Sequence, residues 1–192
     1  MKKNSITLFL ALLCTAFAFT HNVSAQISGN NQSKQGGIVF KIPEDVFPMD
    51  WNKNGFKGIL MLRKDSPSGI FIAYPNDGEK LADLRERAAK FVAPMFVSDE
   101  NEKKKEIKFQ KTPIPVHKGD IDNSGLYYSY ENEKSITQIL FYEREANGKK
   151  LIYGYFANKG KDDKAKSGKD LWADDKGQGI KIFEKFWKTF KD

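Results

Sequence analysis

The sequence predicts an α+β protein, a single domain in which two helices cover a mainly antiparallel sheet of about six to seven strands. Three observations predict this class. Short β-rich runs are grouped between turn residues, two separated segments show helical periodicity, and no internal repeat occurs. The predicted order is β-β-β-α-β-β-β-β-α, and residues 36–192 of the 192-residue chain are enough for one domain with a full core.

A Sec-type signal peptide is predicted for residues 1–25. The chain begins with Met1-Lys2-Lys3, an apolar run extends from Ile6 to Phe19, and Val23-Ser24-Ala25 places small residues before a cleavage point. The apolar run is shorter than a comfortable membrane span, so no span is expected. We therefore expect a bacterial protein that is periplasmic or secreted.

Signal cleavage would leave few groups for catalysis. Cys14 follows Leu13, where a lipobox would need a small residue, so lipidation is not expected. Without Cys14 the exported chain has no thiol and no disulfide, and without His21 its only histidine is His117. The formal charge of +7 comes from lysines interleaved with acids, unlike the clustered basic residues typical of nucleic-acid binding. No nucleic-acid partner is expected.

The first part of the domain is predicted to be strands. Residues 26–35 are rich in Asn, Ser, Gly and Gln and predict a flexible tether. Gly36–Pro43 is a predicted strand, and Phe47–Trp51 is predicted to be a loop with bulky apolar residues against the core edge. Gly55–Lys64 and Ser68–Tyr74 are predicted to form a hairpin, because turn residues separate two apolar runs.

A helix is predicted from about Glu79 to Val92. Its apolar residues recur at helical spacing: Leu81, Leu84, Ala88, Phe91 and Met95. Asn76 or Asp77 is expected to cap its N-terminus, where Glu79 suits the positive end of the helix dipole. Pro94 is expected to end or kink the helix.

Four strands are predicted after this helix. Lys105–Val116 carries Pro113 and Pro115 at alternate positions, which predicts an edge strand because proline cannot donate to a neighbouring strand. The other three are Leu126–Glu131, Ser135–Glu145 and Leu151–Asn158. Ile139–Tyr142 is apolar throughout and predicts a strand covered on both faces, and Asn147-Gly148 predicts a type I′ turn.

The last helix is predicted from about Asp175 to Phe190. Its apolar face contains Ile180, Phe183, Trp187 and Phe190, widened by Ile182 and Phe186. Burial of six large apolar side chains contributes about 10 kcal/mol before entropy is subtracted, so this helix is expected to be part of the core. The alternative is a helix that lies on a membrane surface.

Catalytic motifs of the nucleophile-elbow, zinc-protease and P-loop types do not occur in the sequence. His117 is the one candidate general base, and it would need a serine or an acid brought to it by the fold. The favoured interpretation is a loop histidine without a special role. The alternative is the base of a small hydrolase.

A calcium-loop pattern occurs at Asp120-Ile121-Asp122-Asn123-Ser124-Gly125, with Glu131 at the twelfth position. Predicted strands rather than helices flank it, so a polar β-turn is the favoured interpretation. The alternative is a weak Ca²⁺ site that uses Asp120, Asp122 and Ser124. No other cofactor is expected.

Four aromatic residues are the candidates for a ligand-binding or partner-binding site: Trp51, Tyr128, Tyr130 and Trp172. Trp172 stands alone in the polar stretch 159–178. Alternation places Tyr128 and Tyr130 on one face of a predicted strand, where core packing is the favoured alternative.

The order of elements is similar to the PsbP-like fold: a strand hairpin, a helix, several antiparallel strands and a C-terminal amphipathic helix. The segments that carry the resemblance are Gly55–Tyr74, Glu79–Val92, Lys105–Asn158 and Gly179–Phe190. The resemblance contains no motif and transfers no functional residue. It implies a non-enzymatic adaptor or assembly protein. We therefore expect a monomeric binding domain of the cell envelope, with an unknown protein or small ligand as its partner.

Overall fold

Seven strands form one antiparallel sheet, which two helices cover. The computed structural model describes residues 32–35, 38–95, 106–133, 135–160 and 178–191. The elements in chain order are β1 (Gln32–Gln35), β2 (Ile38–Lys41), β3 (Val46–Asp50), a 3-10 turn (Asn52–Asn54), β4 (Lys57–Arg63), β5 (Ser68–Tyr74), α1 (Leu81–Val92), β6 (Gln110–Pro113), β7 (Leu126–Glu131), β8 (Ser135–Ala146), β9 (Lys149–Gly160) and α2 (Gln178–Trp187). The sheet order is β3-β4-β5-β9-β8-β7-β6, and β1 pairs with β2 alone. The predicted α+β class is confirmed.

The predicted signal peptide and Trp172 lie outside the described residues. Residues 32–35, at the end of the predicted tether, form β1 and pair with β2 in an antiparallel ladder.

The two longest strands, β8 and β9, are joined by the predicted two-residue turn. Asn147 and Gly148 have φ angles of 51° and 70°, as a type I′ turn requires. Ile139–Tyr142 in β8 is buried throughout, so the predicted coverage of both faces is confirmed. In β9, a Cβ at Gly154 would lie 1.9 Å from the carbonyl oxygen of Leu140, so this position has no room for a side chain.

The helices lie on opposite faces of the sheet. The core under α1 includes Leu60, Phe71, Ile139, Phe141, Ile152 and Phe156. The core under α2 includes Ile59, Met61, Ile70, Ile72, Leu140, Tyr142, Tyr153 and Tyr155. Because successive strand residues point to opposite faces, neighbouring residues of one strand enter different cores. The sheet is thus the middle layer of three.

Each edge strand carries a proline on its free edge. The Trp51 N–H donates to the carbonyl of Gly58 at 3.3 Å, which sets the alternation of the β3–β4 ladder. By that alternation the backbone of Pro48 faces away from β4. In the other ladder the Ile114 N–H donates to the carbonyl of Gly125 at 2.9 Å, so the backbone of the neighbouring Pro113 faces away from β7. Proline is tolerated there because no neighbouring strand needs its missing N–H. The predicted edge position of this proline-containing strand is confirmed.

Two predictions about where strands begin and end were wrong. Phe47–Trp51, predicted as a loop, forms most of β3, because Pro48 interrupts the apolar pattern without interrupting the pairing with β4. The predicted strand Lys105–Val116 is limited, within the described residues, to β6. Pro115 lies beyond its last paired residue.

The predicted cap of α1 was also wrong. Lys80 occupies the N-cap position, and no side chain caps the helix there. The Glu79 carboxylate instead accepts a hydrogen bond from the Asn76 backbone N–H at 2.8 Å, and two more from Arg87, each at 2.8 Å. The Asp77 side chain is fully exposed.

The end of the chain closes the core under α2. The backbones of Val39 and Lys191 exchange two hydrogen bonds, of 3.0 and 2.9 Å. Phe186 packs edge-to-face on Phe40, with 5.4 Å between ring centroids. Among the described residues, none of the helices has the length and apolar character needed to cross a membrane.

Candidate functional site

A buried polar cluster joins the loop between β6 and β7 to the sheet. It consists of Asp120, His117, Arg144 and Tyr153. The Asp120 side chain is 0% exposed. Its carboxylate accepts hydrogen bonds from the Tyr153 hydroxyl at 2.7 Å and from the His117 backbone N–H at 3.0 Å. The Arg144 Nε atom lies 3.3 Å from Oδ1 of Asp120. The buried charge is therefore both paired and hydrogen-bonded, which is the condition under which proteins tolerate it.

The loop fits closely around Arg144. Gly119 has a φ of +90°, and a Cβ at this position would lie 2.7 Å from Nη2 of Arg144. Glycine supplies both the left-handed conformation and the space. Nη2 of Arg144 also donates to the carbonyl of Lys118 at 2.6 Å, and Asp120 and Arg144 form an isolated β-bridge. An ion pair with Asp120, a hydrogen bond to Lys118 and a β-bridge thus hold Arg144 against this loop.

The His117 ring lies between two aromatic rings. The centroids of Trp187 and Tyr142 are 4.1 and 4.2 Å from that of the imidazole. Nδ1 of His117 is 2.8 Å from the Tyr153 hydroxyl oxygen. Because this hydroxyl donates its only proton to Asp120, its oxygen must accept from His117, so Nδ1 carries a proton.

The phenol of Tyr153 stays protonated in this cluster. Burial raises its pKa, and the negative charge of Asp120 raises it further. The Tyr153 hydroxyl is therefore a permanent donor to the carboxylate.

The cluster does not contain the nucleophile that a small hydrolase needs. Among the described residues, the His117 side chain forms its one hydrogen bond with Tyr153, and no serine or threonine hydroxyl reaches it. The Ser124 hydroxyl instead accepts from the backbone N–H of Glu143 at 3.2 Å. A nucleophile and its base must lie within hydrogen-bonding distance, about 2.6–3.2 Å. The arrangement is suited to fastening the loop to the sheet and to α2.

The residues of the calcium-loop pattern do not converge on one point. Asp120 points into the core, Asp122 is exposed, Ser124 is buried, and Glu131 is exposed at the end of β7. Ser124 N–H donates to the carbonyl of Ile121 at 3.2 Å, so the predicted β-turn is confirmed. Among the residues that the structure describes, no group of three His, Cys, Asp or Glu side chains could hold a metal ion.

The candidate aromatic anchors lie mainly in the core. Trp51 is 1% exposed and stacks on Phe56 at 4.2 Å, and Tyr128 and Tyr130 are buried. Phe91 of α1 also packs on Trp51, and Phe109 packs on Tyr128 and Tyr130, so these side chains present almost no surface to a partner in this structure. Trp172 falls outside the described residues.

A basic cleft lies at the end of the sheet where β5 ends and where β4 and β9 begin. Its volume is about 410 Å³, within the range of small-molecule sites. The polar residues that line it are Asn52, Lys57, Tyr74, Asp77, Lys149 and Lys150. Three lysines and one aspartate give the cleft two net positive charges.

The lysines of the cleft differ in their pairing. Lys57 Nζ lies 2.8 Å from Oδ1 of Asp77, and the lysine holds the pKa of that carboxyl below its usual range. Within the described part of the chain, the side chains of Lys149 and Lys150 form no ion pair or hydrogen bond. Tyr74 is buried in the cleft wall, and burial raises the pKa of its phenol.

Sequence reasoning missed this cleft. Its lysines are common surface residues, and they come from segments about ninety positions apart that meet only through the β5–β9 pairing. The one local signal is the adjacent pair Lys149-Lys150 directly after the Asn147-Gly148 turn.

No protein-family model matches the chain, and no curated protein is significantly similar to it.

Proposed function

We propose that this protein is an exported, non-catalytic binding domain of a bacterial cell envelope, and that it acts as a monomer. The observation that carries the proposal is the contrast between the two polar regions. In the cluster, the buried carboxylate of Asp120 accepts hydrogen bonds from Tyr153 and His117, whereas the cleft presents Lys149 and Lys150 without partners among the described residues. The cleft is built at the end of a sheet, and a rigid scaffold with unpaired polar groups suits recognition.

Export is supported by the pattern of residues 1–25: a basic start, an apolar run and small residues before a cleavage point. The resemblance to the PsbP-like fold supports the same class, since it implies adaptor or assembly proteins without enzymatic activity.

Among the described residues, the hydrolase alternative has a base without a partner nucleophile, because His117 is hydrogen-bonded to Tyr153 and lies between Trp187 and Tyr142. The Ca²⁺ alternative has its first ligand position occupied, because the carboxylate of Asp120 already faces Arg144 and Tyr153. One observation fits the hydrolase alternative, because Nδ1 of His117 lies 3.5 Å from Oδ2 of Asp120, which is an acid partner. Among the described residues, the Ca²⁺ alternative has no comparable observation.

The experiment that tests the proposal is capture from the native envelope. The full chain is expressed with its own N-terminus, the exported product is purified, and its mass shows whether cleavage precedes Gln26. The immobilised product is incubated with envelope extract, and bound proteins and small molecules are identified by mass spectrometry. We expect a bound component that a His117→Ala variant retains.

Enzymatic turnover would contradict the proposal of a non-catalytic binding domain. The purified product is assayed with ester, peptide and glycoside substrates beside the His117→Ala variant. Turnover that the variant loses would make the protein a hydrolase. Recovery of the product with its leader uncleaved in the cytoplasm would contradict export.

A further inference from the structure

We propose that the basic cleft between β4, β5 and β9 binds a phosphate group, carried either by a soluble phosphate ester or by a lipid headgroup. This inference rests on the proposed binding function and assigns a site and a ligand class to it.

The charge of the cleft matches a phosphate dianion. Lys57, Lys149 and Lys150 contribute three positive charges and Asp77 one negative charge, which leaves two net positive charges. A phosphate monoester carries about −1.5 to −2 charges at neutral pH. Lysine is a compact point charge with three donors, and it binds phosphate without needing the bidentate geometry of arginine.

The placement of the lysines suits one shared anion. Lys149 and Lys150 are the first two residues of β9, held by the type I′ turn that precedes them. Successive residues of a strand point to opposite faces, and both Lys149 and Lys150 line the cleft, so they border it from the two faces of the sheet. Lys57, at the start of β4, stands opposite Tyr74 at the end of β5 and forms the third side. The backbone that carries all three is ordered by the sheet, which reduces the entropic cost of binding.

No nearby acid pairs with Lys149 or Lys150 among the described residues, so both ammonium groups are available to a ligand. Glu145 is the register partner of Lys150 across the β8–β9 hairpin, yet no ion pair joins the two side chains. The ion pair of the cleft, Lys57 with Asp77, has both partners largely exposed. An exposed pair is weak, so an incoming phosphate can compete with Asp77 for Lys57.

The test is a calorimetric titration of the exported protein with inorganic phosphate, at constant ionic strength and pH 7.5. The same titration is carried out with vesicles of phosphatidic acid, whose headgroup is a phosphate monoester, in phosphatidylcholine, and with vesicles of phosphatidylcholine alone. We expect saturable binding to inorganic phosphate or to the anionic vesicles. Lys149→Ala/Lys150→Ala should weaken it about a hundredfold, because each of the two lost charged contacts costs about a factor of ten. Phosphate binding identifies a soluble ester as the source. Binding to the anionic vesicles alone identifies a headgroup.

The matched control is Lys181→Ala/Lys185→Ala, which removes two exposed lysines of α2 and changes the net charge equally. We expect less than about a twofold change in this variant, since contacts outside a site carry little binding energy. The Asp77→Asn variant should bind more tightly than the unchanged protein, because it releases Lys57. Equal weakening in the two double variants, or no saturable binding in either arm, would overturn the phosphate site.

The same variants separate this inference from the proposed function. If Lys149→Ala/Lys150→Ala still captures the envelope component that the unchanged protein captures, the cleft is not the site, while the binding-domain proposal stands. If a substrate is turned over and His117→Ala abolishes the turnover, the proposed function fails, whatever the titration gives.

Discussion

The Asp120 cluster and the basic cleft are built on the same β8–β9 hairpin, and they handle charge in opposite ways. In the cluster, Arg144 and Tyr153 surround a fully buried carboxylate and satisfy it. In the cleft, Lys149 and Lys150 stand at the strand end without side-chain partners among the described residues. Buried charges that lose a partner cost several kcal/mol, whereas exposed ones cost almost nothing. We therefore expect the Asp120 cluster to contribute to the stability of the fold, and we propose recognition as the role of the cleft.

The largest expected effect is the loss of stability when α2, the helix that packs on the Asp120 cluster, is removed. Truncation before Gly177 removes α2, with Trp187 that stacks on His117 and Phe183 and Phe186 in the core. The lost burial of about 10 kcal/mol is comparable with the whole stability of a domain, about 5–15 kcal/mol. We expect no cooperative thermal transition by circular dichroism. A cooperative melt at a similar temperature would refute the three-layer arrangement.

The next largest effect is expected from Asp120→Ala. This change leaves Arg144 and the Tyr153 hydroxyl without their carboxylate in a buried site. We expect a loss of about 3–5 kcal/mol in the free energy of unfolding, measured with urea.

The controls for Asp120→Ala make the contrast between the two regions measurable. Asp122→Ala, on the exposed side of the same loop, and Lys149→Ala/Lys150→Ala in the cleft should each stay within about 0.5 kcal/mol of the unchanged protein. A large loss in the lysine variant would mean that the cleft, too, is structural.

A smaller effect is expected from Tyr153→Phe, which removes the hydroxyl shared by Asp120 and His117 and keeps the ring in the core. The free energy of unfolding should fall by about 1–3 kcal/mol, because the buried carboxylate and the imidazole each lose a partner. Tyr155→Phe is a comparison in the same strand. If Tyr153→Phe is neutral, the hydroxyl is not what holds the loop.

The effect of pH should come partly from Glu79, whose carboxylate binds Arg87 beside the cleft. The hydrogen bond from Arg87 is the largest cause that lowers the pKa of Glu79 below its ordinary value. A lowered folded pKa stabilises the protein above the unfolded pKa of about 4.3, and this stability is lost as the pH falls through the folded pKa. Glu79→Gln should therefore show a smaller drop in melting temperature between pH 6 and pH 3, and Glu145→Gln is the exposed control. An unchanged drop in Glu79→Gln would rule out this pair as a source of acid sensitivity.

The smallest expected effect is that of calcium. A site saturated at 100 times its dissociation constant would stabilise the fold by about 2.7 kcal/mol. Millimolar Ca²⁺ should leave the melting temperature unchanged, because Asp120 is turned inward. An upward shift that Asp120→Ala/Asp122→Ala loses would restore the calcium interpretation and contradict the closed cluster.

The sequence alone determined the features that depend on neighbours in the chain. Alternation and helical spacing located both helices and most strands, the unbroken apolar run Ile139–Tyr142 indicated a strand covered on both faces, and Asn147-Gly148 specified its turn. These succeeded because side-chain periodicity and backbone preference act within a few residues. Pro48 is the reason that Phe47–Trp51 was wrongly predicted as a loop, since proline breaks a strand at the centre of a sheet and is accepted at its free edge.

Only the tertiary structure decided where charges and aromatic rings meet. It brought Asp120 to Arg144 and Tyr153, placed Trp51 in the core, and assembled Lys57, Lys149 and Lys150 around one cleft. Asp120 and Arg144 are 24 positions apart in the chain, and Lys57 and Lys150 are 93 positions apart. Their energies depend on burial and on long-range strand pairing, neither of which a local pattern encodes.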